Sequence, residues 1–427
     1  MIPIILFLVI IAAMLLGVPI GISIGLGMLA IISIDPITNV RFIAQFMYSG
    51  LDTLPLLAIP CFMLAGAIME TGGLSRRMVA VANKMVGRFT GGLGLVTIVA
   101  CLFFGAISGS GPATVVGIGA IMIPQMVKQG YDKVYATGLI AVSGALGIVI
   151  PPSIPMIIYG VATYTSVGDM FIAGIIPGVL VAVCLSVTNW LISRSRGYKG
   201  TGEKFNFREF MLAVWDAKWA MLMPVIILGG IYGGVFTPTE AAVIAVVYGI
   251  IVGAFIYREI SWKKLLSMID GNSSFVGAIL MTFAPASALG SIFALLQITR
   301  ALNNAVVASD LNLFTLLFLM NIFFIIIGMI MDTGSATIIF APLVLTILVP
   351  FGLNPVHIGI ILIINFCIGF VTPPVAINLF VASGISKLRV EQVANAAIPF
   401  LLATFAALQF VTYFPEISMF MVRLIRK

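Results

Sequence analysis

Long apolar runs, separated by short clusters of charged residues, dominate the chain. About 20 consecutive apolar residues are enough to cross a bilayer as an α-helix. The runs are continuous and do not alternate between apolar and polar positions, which excludes the strand pattern of a membrane β-barrel. The pattern therefore predicts an all-α polytopic membrane protein, because lipid leaves backbone groups no partners outside a helix or a barrel.

Seven of these runs have the length of simple membrane segments. Residues 2–34 are long enough for one tilted helix or two short ones. The remaining crossings are predicted at residues 50–70, 172–193, 220–234, 240–257, 275–297 and 393–413.

Two further apolar stretches are interrupted by small and polar residues, and the first of them is too long for one span and too short for two spans with a good loop. Arg88 and Lys128 enclose 39 residues without a charge, and the middle of this stretch reads SGSGPAT (Ser108–Thr114). The second stretch runs from Asp310 to Pro350 and contains MDTGSAT (Met331–Thr337). Small and polar residues in the middle of an apolar run predict a re-entrant hairpin, whose tip is tolerated where protein buries it or where it lines a cavity.

Two other apolar segments contain paired prolines. They read GIVIPPSIP (Gly147–Pro155) and GFVTPPVAIN (Gly369–Asn378). Proline removes a backbone donor and interrupts a helix, so both segments are predicted to be crossings that are broken in the middle. A third proline motif, TPTE (Thr237–Glu240), has the spacing of a helix-capping box, and we prefer that interpretation to a catalytic glutamate.

The hairpins and broken segments form an internal repeat. SGPAT at Ser110–Thr114 matches TGSAT at Thr333–Thr337 with a shift of 223 residues, and Gly147 pairs with Gly369 with a shift of 222. Five predicted crossings separate the starts of the two units. Because this number is odd, the second unit is expected to be inverted, as in the inverted repeats of secondary transporters.

Each unit is predicted to offer one cation site. Breaking a helix frees carbonyl groups that, together with hydroxyls, can bind Na⁺, while helix N-termini favour anions. The alternative for the first tip is close helix packing through small residues. The candidate Na⁺ ligands are Ser108, Gly109, Ser110, Thr114, Gly147, Ile150 and Pro151 in the first unit, and Asp332, Thr333, Ser335, Thr337, Gly369 and Thr372 in the second.

Three polar residues are candidate substrate ligands. Asp332 lies in the middle of a hairpin, and a carboxylate within a membrane is a functional candidate because its burial is costly. It could also cap the returning helix. Ser108 and Ser153 are its expected polar companions. His357 is interpreted as a solvated loop histidine in preference to a proton relay.

Composition and charge support membrane transport and exclude several other classes. Hydrophobic residues make up 61% of the chain and charged residues 9%, against about 25% charged residues in soluble domains. Of the 22 basic residues, 17 fall in loops on one side if the N-terminus lies outside, so the net charge of +7 indicates topology and not nucleic-acid binding. No P-loop or HExxH motif is present, which argues against ATP hydrolysis and against a metalloprotease-like enzyme.

The motifs resemble those of the DctM-like large membrane subunit of TRAP (tripartite ATP-independent periplasmic) transporters. The similar stretches are SGSGPATVVGIGAIMIPQM, GALGIVIPPSIPMIIYG, GIYGGVFTPTEAA, MDTGSATIIFAPL and GFVTPPVAINLFV. The resemblance as a whole covers essentially the whole chain. The resemblance implies an elevator-type importer of organic acid anions in the bacterial inner membrane, coupled to at least two Na⁺ sites. Its implied partners are a small four-helix membrane subunit and a periplasmic substrate-binding protein.

Within that family the chain looks most similar to subunits of sialic acid systems, with a C4-dicarboxylate or another sugar acid as the competing substrate. No lysine or arginine lies near either tip. We therefore expect bound Na⁺ and helix dipoles to supply the positive charge for the anion.

The resulting expectation is a transport unit set between scaffold helices. Residues 89–170 and 310–392 form the two halves of the transport domain. The scaffold comprises residues 1–88, which include arm helices, residues 171–309, with a cytoplasmic linker at 193–218, and residues 393–427.

Three alternatives remain open at this point. A stand-alone Na⁺/dicarboxylate symporter of similar architecture would need no binding protein. An intramembrane enzyme would need a nucleophile–base pair or a metal cluster. A passive channel would carry flux only down a gradient.

Overall fold

The structure is a computed structural model that describes residues 2–34, 39–200, 202, 205–298, 300, 301, 304, 306 and 311–426. Within these ranges every regular element is a helix, which confirms the predicted all-α fold. The expected domain boundary at 309/310, part of the expected linker (201, 203 and 204) and Lys427 lie outside the described residues.

The helices follow one another in four groups. The N-terminal group is Ile2–Leu15, Ile20–Ile32, Val40–Leu51, Ala58–Thr71 and Leu74–Val86. The first repeat unit and the helix after it are Gly92–Ser108, Gly111–Lys128, Lys133–Gly144, Leu146–Val149, Ile154–Thr163 and Val167–Arg196. The middle group is Phe207–Tyr232, Pro238–Ile250 with a π-helical extension at Ile251–Ile256, and Trp262–Leu295. The last group is Leu313–Ile330, Thr333–Leu348, Pro355–Gly369, Ile377–Ser386, Val390–Tyr413 and Glu416–Ile425.

This is a multi-pass membrane protein. Of the described helices, eight are long and apolar enough to cross a bilayer, or nine if the pair Lys133–Val149 and Ile154–Thr163 counts as one span. That pair bends by 41° at its break, so the first predicted broken crossing is observed. The second consists of Pro355–Gly369 and Ile377–Ser386. Each break contains one cis peptide bond, Pro151–Pro152 and Pro373–Pro374.

Polar caps determine where the functional helices begin. Asp132, Asn312 and Asn354 each accept a hydrogen bond from a backbone N–H two or three residues further on, at 2.8 Å. Such side chains satisfy donors that have no partner inside the helix. The predicted capping box at Thr237 and Glu240 is confirmed, since both of its reciprocal bonds are present.

The two predicted hairpins are present as pairs of helices with abrupt turns. The first turn is at Gly109, whose φ of 60° suits glycine because it lies in the left-handed region. The second is at Met331 and Asp332, between Leu313–Ile330 and Thr333–Leu348. Each hairpin is also bonded to the neighbouring break. Ile154 N–H donates to Gly109 O at 3.2 Å, and Val375 N–H donates to Met329 O at 3.0 Å.

Corresponding glycines let each hairpin touch its broken helix backbone to backbone. A Cβ added at Gly105 would lie 2.8 Å from Gly147 Cα, and one added at Gly328 would lie 3.2 Å from Gly369 Cα. The sequence repeat relates Gly105 to Gly328 by the shift of 223 residues and Gly147 to Gly369 by the shift of 222. The contact therefore occurs once in each unit, while the inverted orientation of the units stays a prediction.

One open expectation is decided by the structure, and two others differ from it. Residues 2–34 form two short helices, one of the two predicted arrangements. The expected linker at 193–218 is shorter, because one helix extends to Arg196 and the next begins at Phe207. The segment around Leu74–Val86 is an amphipathic helix, not a loop, and it buries Leu74, Met78 and Ala82 against the membrane helices.

An ion-pair cluster fixes this amphipathic helix to the middle group. Glu259 accepts hydrogen bonds from Arg76 at 2.6 Å and from Arg77 at 2.9 Å. Arg77 also lies 3.7 Å from the ring centre of Tyr257. Partial burial opposes ionisation of Glu259, but its bonds to Arg77 and Arg76 outweigh that effect and hold the pKa of this carboxyl below its usual range.

Candidate functional site

Three oxygens converge behind the first hairpin tip. Thr114 Oγ1 donates to Ser110 O at 2.8 Å, and Ser108 Oγ lies 3.0 Å from Thr114 Oγ1 and 3.3 Å from Ser110 O. The side chains of Ser108 and Thr114 are completely or almost completely buried. Neutral oxygens beside a broken helix are the kind of group that coordinates Na⁺ in secondary transporters.

Gly147 of the first broken helix closes this group of oxygens. A Cβ at Gly147 would lie 2.5 Å from Thr114 Oγ1 and 2.7 Å from Ser110 O. The backbone of the broken helix can therefore approach these oxygens this closely because position 147 has no side chain. The structure therefore brings together four of the predicted Na⁺ ligands of the first unit, Ser108, Ser110, Thr114 and Gly147. These residues fit the ion that the sequence predicts.

The second tip has the same threonine-to-carbonyl hydrogen bond as the first and also carries a carboxylate. Thr337 Oγ1 donates to Thr333 O at 2.6 Å, which corresponds to the Thr114–Ser110 bond. Asp332 accepts hydrogen bonds from Ser335 N–H at 3.0 Å and from Ser335 Oγ at 2.5 Å. Asp332 is therefore the N-cap of the returning helix, as one of the two interpretations of the sequence expected.

The first break directs its polar groups inward. Ser153 is fully buried, and its hydroxyl donates to Ile148 O at 2.5 Å. This bond satisfies a carbonyl that loses its helical partner at the break. Ile150 and Pro151 are also buried in the break, and the backbone of Ile150 is extended there.

The second break is more open. Pro373, Pro374 and Val375 are exposed, and Thr372 is half-buried. The Thr372 hydroxyl in the break donates to Ile368 O, near the end of the preceding helix, at 2.8 Å. Gly369, the last residue of the preceding helix, packs on Gly328.

A cavity of about 450 Å³ lies where both tips and both broken helices meet a long helix of the middle group. Its volume falls within the usual range for small-molecule sites. The tips contribute Gly109, Ser110, Gly111, Pro112, Asp332, Thr333, Gly334 and Ser335. The long helix Trp262–Leu295 contributes Phe275, Ala278, Ile279 and Thr282.

Four helices begin at this cavity. Their first residues, Gly111, Ile154, Thr333 and Ile377, all line it. The N-terminus of a helix carries a partial positive charge and unpaired N–H groups. Asp332 is the only charged side chain among the described residues of the lining, so the backbone is the main source of positive potential there.

The predicted substrate ligands are placed differently from one another. Asp332 lines the cavity, whereas Ser108 and Ser153 lie behind its wall and bond to other protein groups. Ser110 and Thr333, which the sequence suggested as ion ligands, line it instead. The wall from Trp262–Leu295 was not predicted, because that helix has no motif and lies outside the repeat.

Comparison with known families identifies the chain. The family described as "Tripartite ATP-independent periplasmic transporter, DctM component" matches residues 7–417. The chain belongs to the DctM family. Two curated members illustrate the relationship. The "Isethionate TRAP transporter permease protein DctMQ" of Oleidesulfovibrio alaskensis is 41% identical over 95% of this chain, which spans 64% of that protein. The "C4-dicarboxylate TRAP transporter large permease protein DctM" of Rhodobacter capsulatus is 38% identical, with 97% of each chain covered.

A more distant member and a solved structure complete the comparison. The "Sialic acid TRAP transporter permease protein SiaT" of Haemophilus influenzae is 34% identical over 96% of this DctM chain and 67% of its own length. The YdaH transporter of Alcanivorax borkumensis aligns with a TM-score of 0.64 over 88% of both chains at 14% identity. The likeness to YdaH shows a shared fold. Membership of the DctM family makes the chain a transporter subunit and not an enzyme.

The single histidine of this DctM chain is not a solvated loop residue, contrary to the expectation. His357 is fully buried, and its Nδ1 lies 2.7 Å from Ser418 Oγ. The loop ends at Asn354, and the helix Pro355–Gly369 begins early enough to turn His357 inward. The same helix carries a second group of buried polar side chains. Asn365 donates to Asn321 at 2.8 Å, and Asn321 donates to Thr412 at 3.0 Å.

Proposed function

We propose that the chain imports an organic acid anion in symport with Na⁺, as the large permease subunit of a TRAP system in the inner membrane. The observation that carries this proposal is the meeting of four helix N-termini at one cavity that lacks a cationic side chain among its described residues. Helix N-termini bind anions through backbone N–H groups. A cavity with that lining suits a carboxylate or sulfonate better than a cation.

Sodium coupling is supported by the oxygens at the tips. Ser108, Ser110 and Thr114 would hold one ion beside Gly147, and Asp332, Ser335 and the Thr333–Thr337 pair would contribute to a second. When bound, Na⁺ would supply positive charge near the anion. The chain itself positions these oxygens, since the turn at Gly109 and the N-cap at Asp332 fix both tips beside the breaks.

The proposed movement is that of an elevator. The hairpins and broken helices carry the cavity, and the helices Trp262–Leu295 and Leu54–Thr71 belong to the scaffold past which they slide. The membrane potential can contribute about 2.3 kcal/mol per charge per 100 mV. The family description excludes ATP as the energy source.

The proposed partners follow from the tripartite family description. One is a small membrane subunit of four helices, and the other is a periplasmic protein that delivers the substrate. The names of the relatives differ in substrate, with isethionate, C4-dicarboxylate and sialic acid among them. Sialic acid, which the sequence resemblance favoured, therefore stays one candidate beside C4-dicarboxylates, other sugar acids and isethionate.

Uptake into proteoliposomes tests the function. The chain is reconstituted with its small subunit, and radiolabelled isethionate, succinate and sialic acid are offered with and without the binding protein and an inward Na⁺ gradient. We expect one acid to accumulate only when Na⁺ and the binding protein are both present. Accumulation without the binding protein would favour the stand-alone symporter. Flux that never exceeds equilibrium would favour a channel, and accumulation that persists without Na⁺ would contradict symport.

A further inference from the structure

The lining of the cavity restricts the chemical class of the substrate. We propose that it is a monoanionic acid whose uncharged part is aliphatic or aromatic, and neither a polyhydroxylated sugar acid nor a dianion. This inference rests on the proposed function, because it assumes that the cavity at the two tips is the substrate site.

Few polar side chains face the cavity, and most of them are already bonded. Among the described lining residues only Ser110, Thr282, Asp332, Thr333 and Ser335 are polar. Ser335 donates to Asp332, and Thr282 donates to Ala278 O in its own helix at 3.1 Å. Two carbonyl groups of lining residues are also taken, since Ile148 O in the first break accepts from Ser153 and Gly109 O at the first tip accepts from Ile154.

The donors that have no protein partner lie on the two hairpin tips. Thr333 is 8% exposed, lines the cavity and has no hydrogen bond to its hydroxyl within the described part of the chain. The Ser110 hydroxyl, at the corresponding position of the first unit, likewise has no partner among the described residues. Both hydroxyls adjoin helix N-termini, at Gly111 and Thr333. One acid group can therefore be bound there by two hydroxyls and by backbone N–H groups.

Much of the remaining lining is apolar. It includes Phe275, Ala278 and Ile279 of the long helix, and Ile154, Ile158 and Phe370 of the broken helices. A hydroxyl of the substrate that loses water against this lining without a protein partner lowers affinity by about tenfold. A sugar acid carries several such hydroxyls, whereas an alkyl or aryl body carries none.

A second negative charge would also be unfavourable. No described residue of the lining is a lysine, arginine or histidine, and Asp332 already places a carboxylate at the tip end. A second acid group, directed at Phe275 and Ile279, would be desolvated without a counter-charge, which is costly for an ion. The cavity thus favours a ligand that has one acid group and an otherwise apolar body.

Three acids with the same six-carbon skeleton test the proposal. Hexanoate has one acid group and an apolar chain, adipate has a second acid group, and gluconate has one acid group and five hydroxyls. Binding to the purified full-length chain in nanodiscs is measured by thermal shift and by calorimetry, with Na⁺ and with choline in its place. We expect hexanoate to bind at least tenfold more tightly than either of the others, and only with Na⁺.

The outcomes separate the substrate class from the function. If adipate or gluconate binds as tightly as hexanoate in Na⁺, or if hexanoate fails to bind while another acid is accumulated in the uptake experiment, the substrate class is wrong and the function stands. If no acid binds and none is taken up, both are overturned. Binding of hexanoate that is equal in Na⁺ and choline indicates partitioning into lipid and also contradicts the proposal.

A pair of variants on one helix tests the apolar wall. Ile279→Asn places an amide in the cavity, whereas Ile269→Asn changes an exposed residue of the same helix that does not line it. We expect Ile279→Asn to weaken hexanoate at least fivefold and to narrow its advantage over gluconate. Ile269→Asn should leave both affinities unchanged. Equal effects of the two substitutions would contradict the assignment of this wall.

Discussion

The first break is buried throughout, whereas Pro373, Pro374 and Val375 of the second break are exposed. The tips differ as well, since the first ends in neutral oxygens that bond to one another and the second carries the carboxylate of Asp332 at the cavity. Both units nevertheless keep the glycine contact and the threonine bond to the tip carbonyl. The backbone arrangement is thus the same in both units. The side chains make the polar group of the first tip buried and neutral, whereas the second tip carries a charge that faces the cavity.

The largest expected effect comes from the glycine contact of the second unit. A Cβ at Gly369 would lie 2.5 Å from Gly328 C and 2.6 Å from its Cα, and backbone atoms cannot rotate away. Gly369→Ala should therefore cost about 3 kcal/mol, the upper end for overpacking, and sharply lower the melting temperature of the purified protein. Gly384→Ala in the same broken helix is the control, because nothing lies within 4 Å of its Cβ. Equal melting temperatures for both variants would mean that this contact is not needed.

Removing the charge that distinguishes the second tip should have the next largest effect. Asp332→Asn keeps an N-cap residue, since asparagine caps as well as aspartate, so the melting temperature without Na⁺ should hardly change. Loss of the carboxylate should weaken Na⁺-dependent anion binding at least tenfold. Ser108→Ala removes a hydroxyl from the first tip and should weaken Na⁺ binding in the same assay. If both variants transport at the wild-type rate, the site is assigned wrongly.

The corresponding threonines allow the two tips to be compared directly. Thr114 bonds to Ser110 O and also contacts Ser108, whereas the Thr337 hydroxyl bonds to Thr333 O. Valine has nearly the same shape but no hydroxyl. Thr114→Val should raise the Na⁺ concentration for half-maximal thermal stabilisation about fivefold, more than Thr337→Val does, because it removes two bonds from the oxygen group. The reverse order would show that the second unit depends more on its threonine.

The smallest effect is expected away from both sites, at the ion pairs of Glu259. Its pKa is lowered in the folded protein, because its bonds to Arg77 and Arg76 outweigh burial. The stabilisation is therefore present above the pKa of an unfolded glutamate and is lost as pH falls through the lowered value. Glu259→Gln should cost about 1 kcal/mol at pH 7, and less at pH 3. Arg426→Gln, which removes the exposed ion pair with Asp169, is the comparison, and a pH-independent loss would contradict the assignment.

The sequence predicted the functional frame because glycine, proline and small polar residues act on the backbone locally. SGSGPAT and MDTGSAT interrupt helices wherever they lie, so the tips and breaks could be placed to within a few residues. The correspondence of Gly147 in the first unit with Gly369 in the second followed from the constant register of the repeat. Asp332 could be singled out because burying a carboxylate in an apolar run is costly, which indicates a functional role.

The direction of side chains could not be predicted, because it depends on how helices pack. Ser153 turns to Ile148 O, and Ser110 instead of Ser108 reaches the cavity. His357 is buried by contact with Ser418, which lies 61 residues away in the chain. Phe275 and Ile279 line the cavity although their sequence resembles any other apolar span. Such contacts arise between distant segments and leave no local pattern.

The glycine contacts also determine which parts of the protein can deform. Because no side chain separates the backbones at Gly105 and Gly147, or at Gly328 and Gly369, there is no flexible layer between each hairpin and its broken helix. We therefore expect a displacement of either tip to move the adjoining break with it, because closely packed backbones transmit strain.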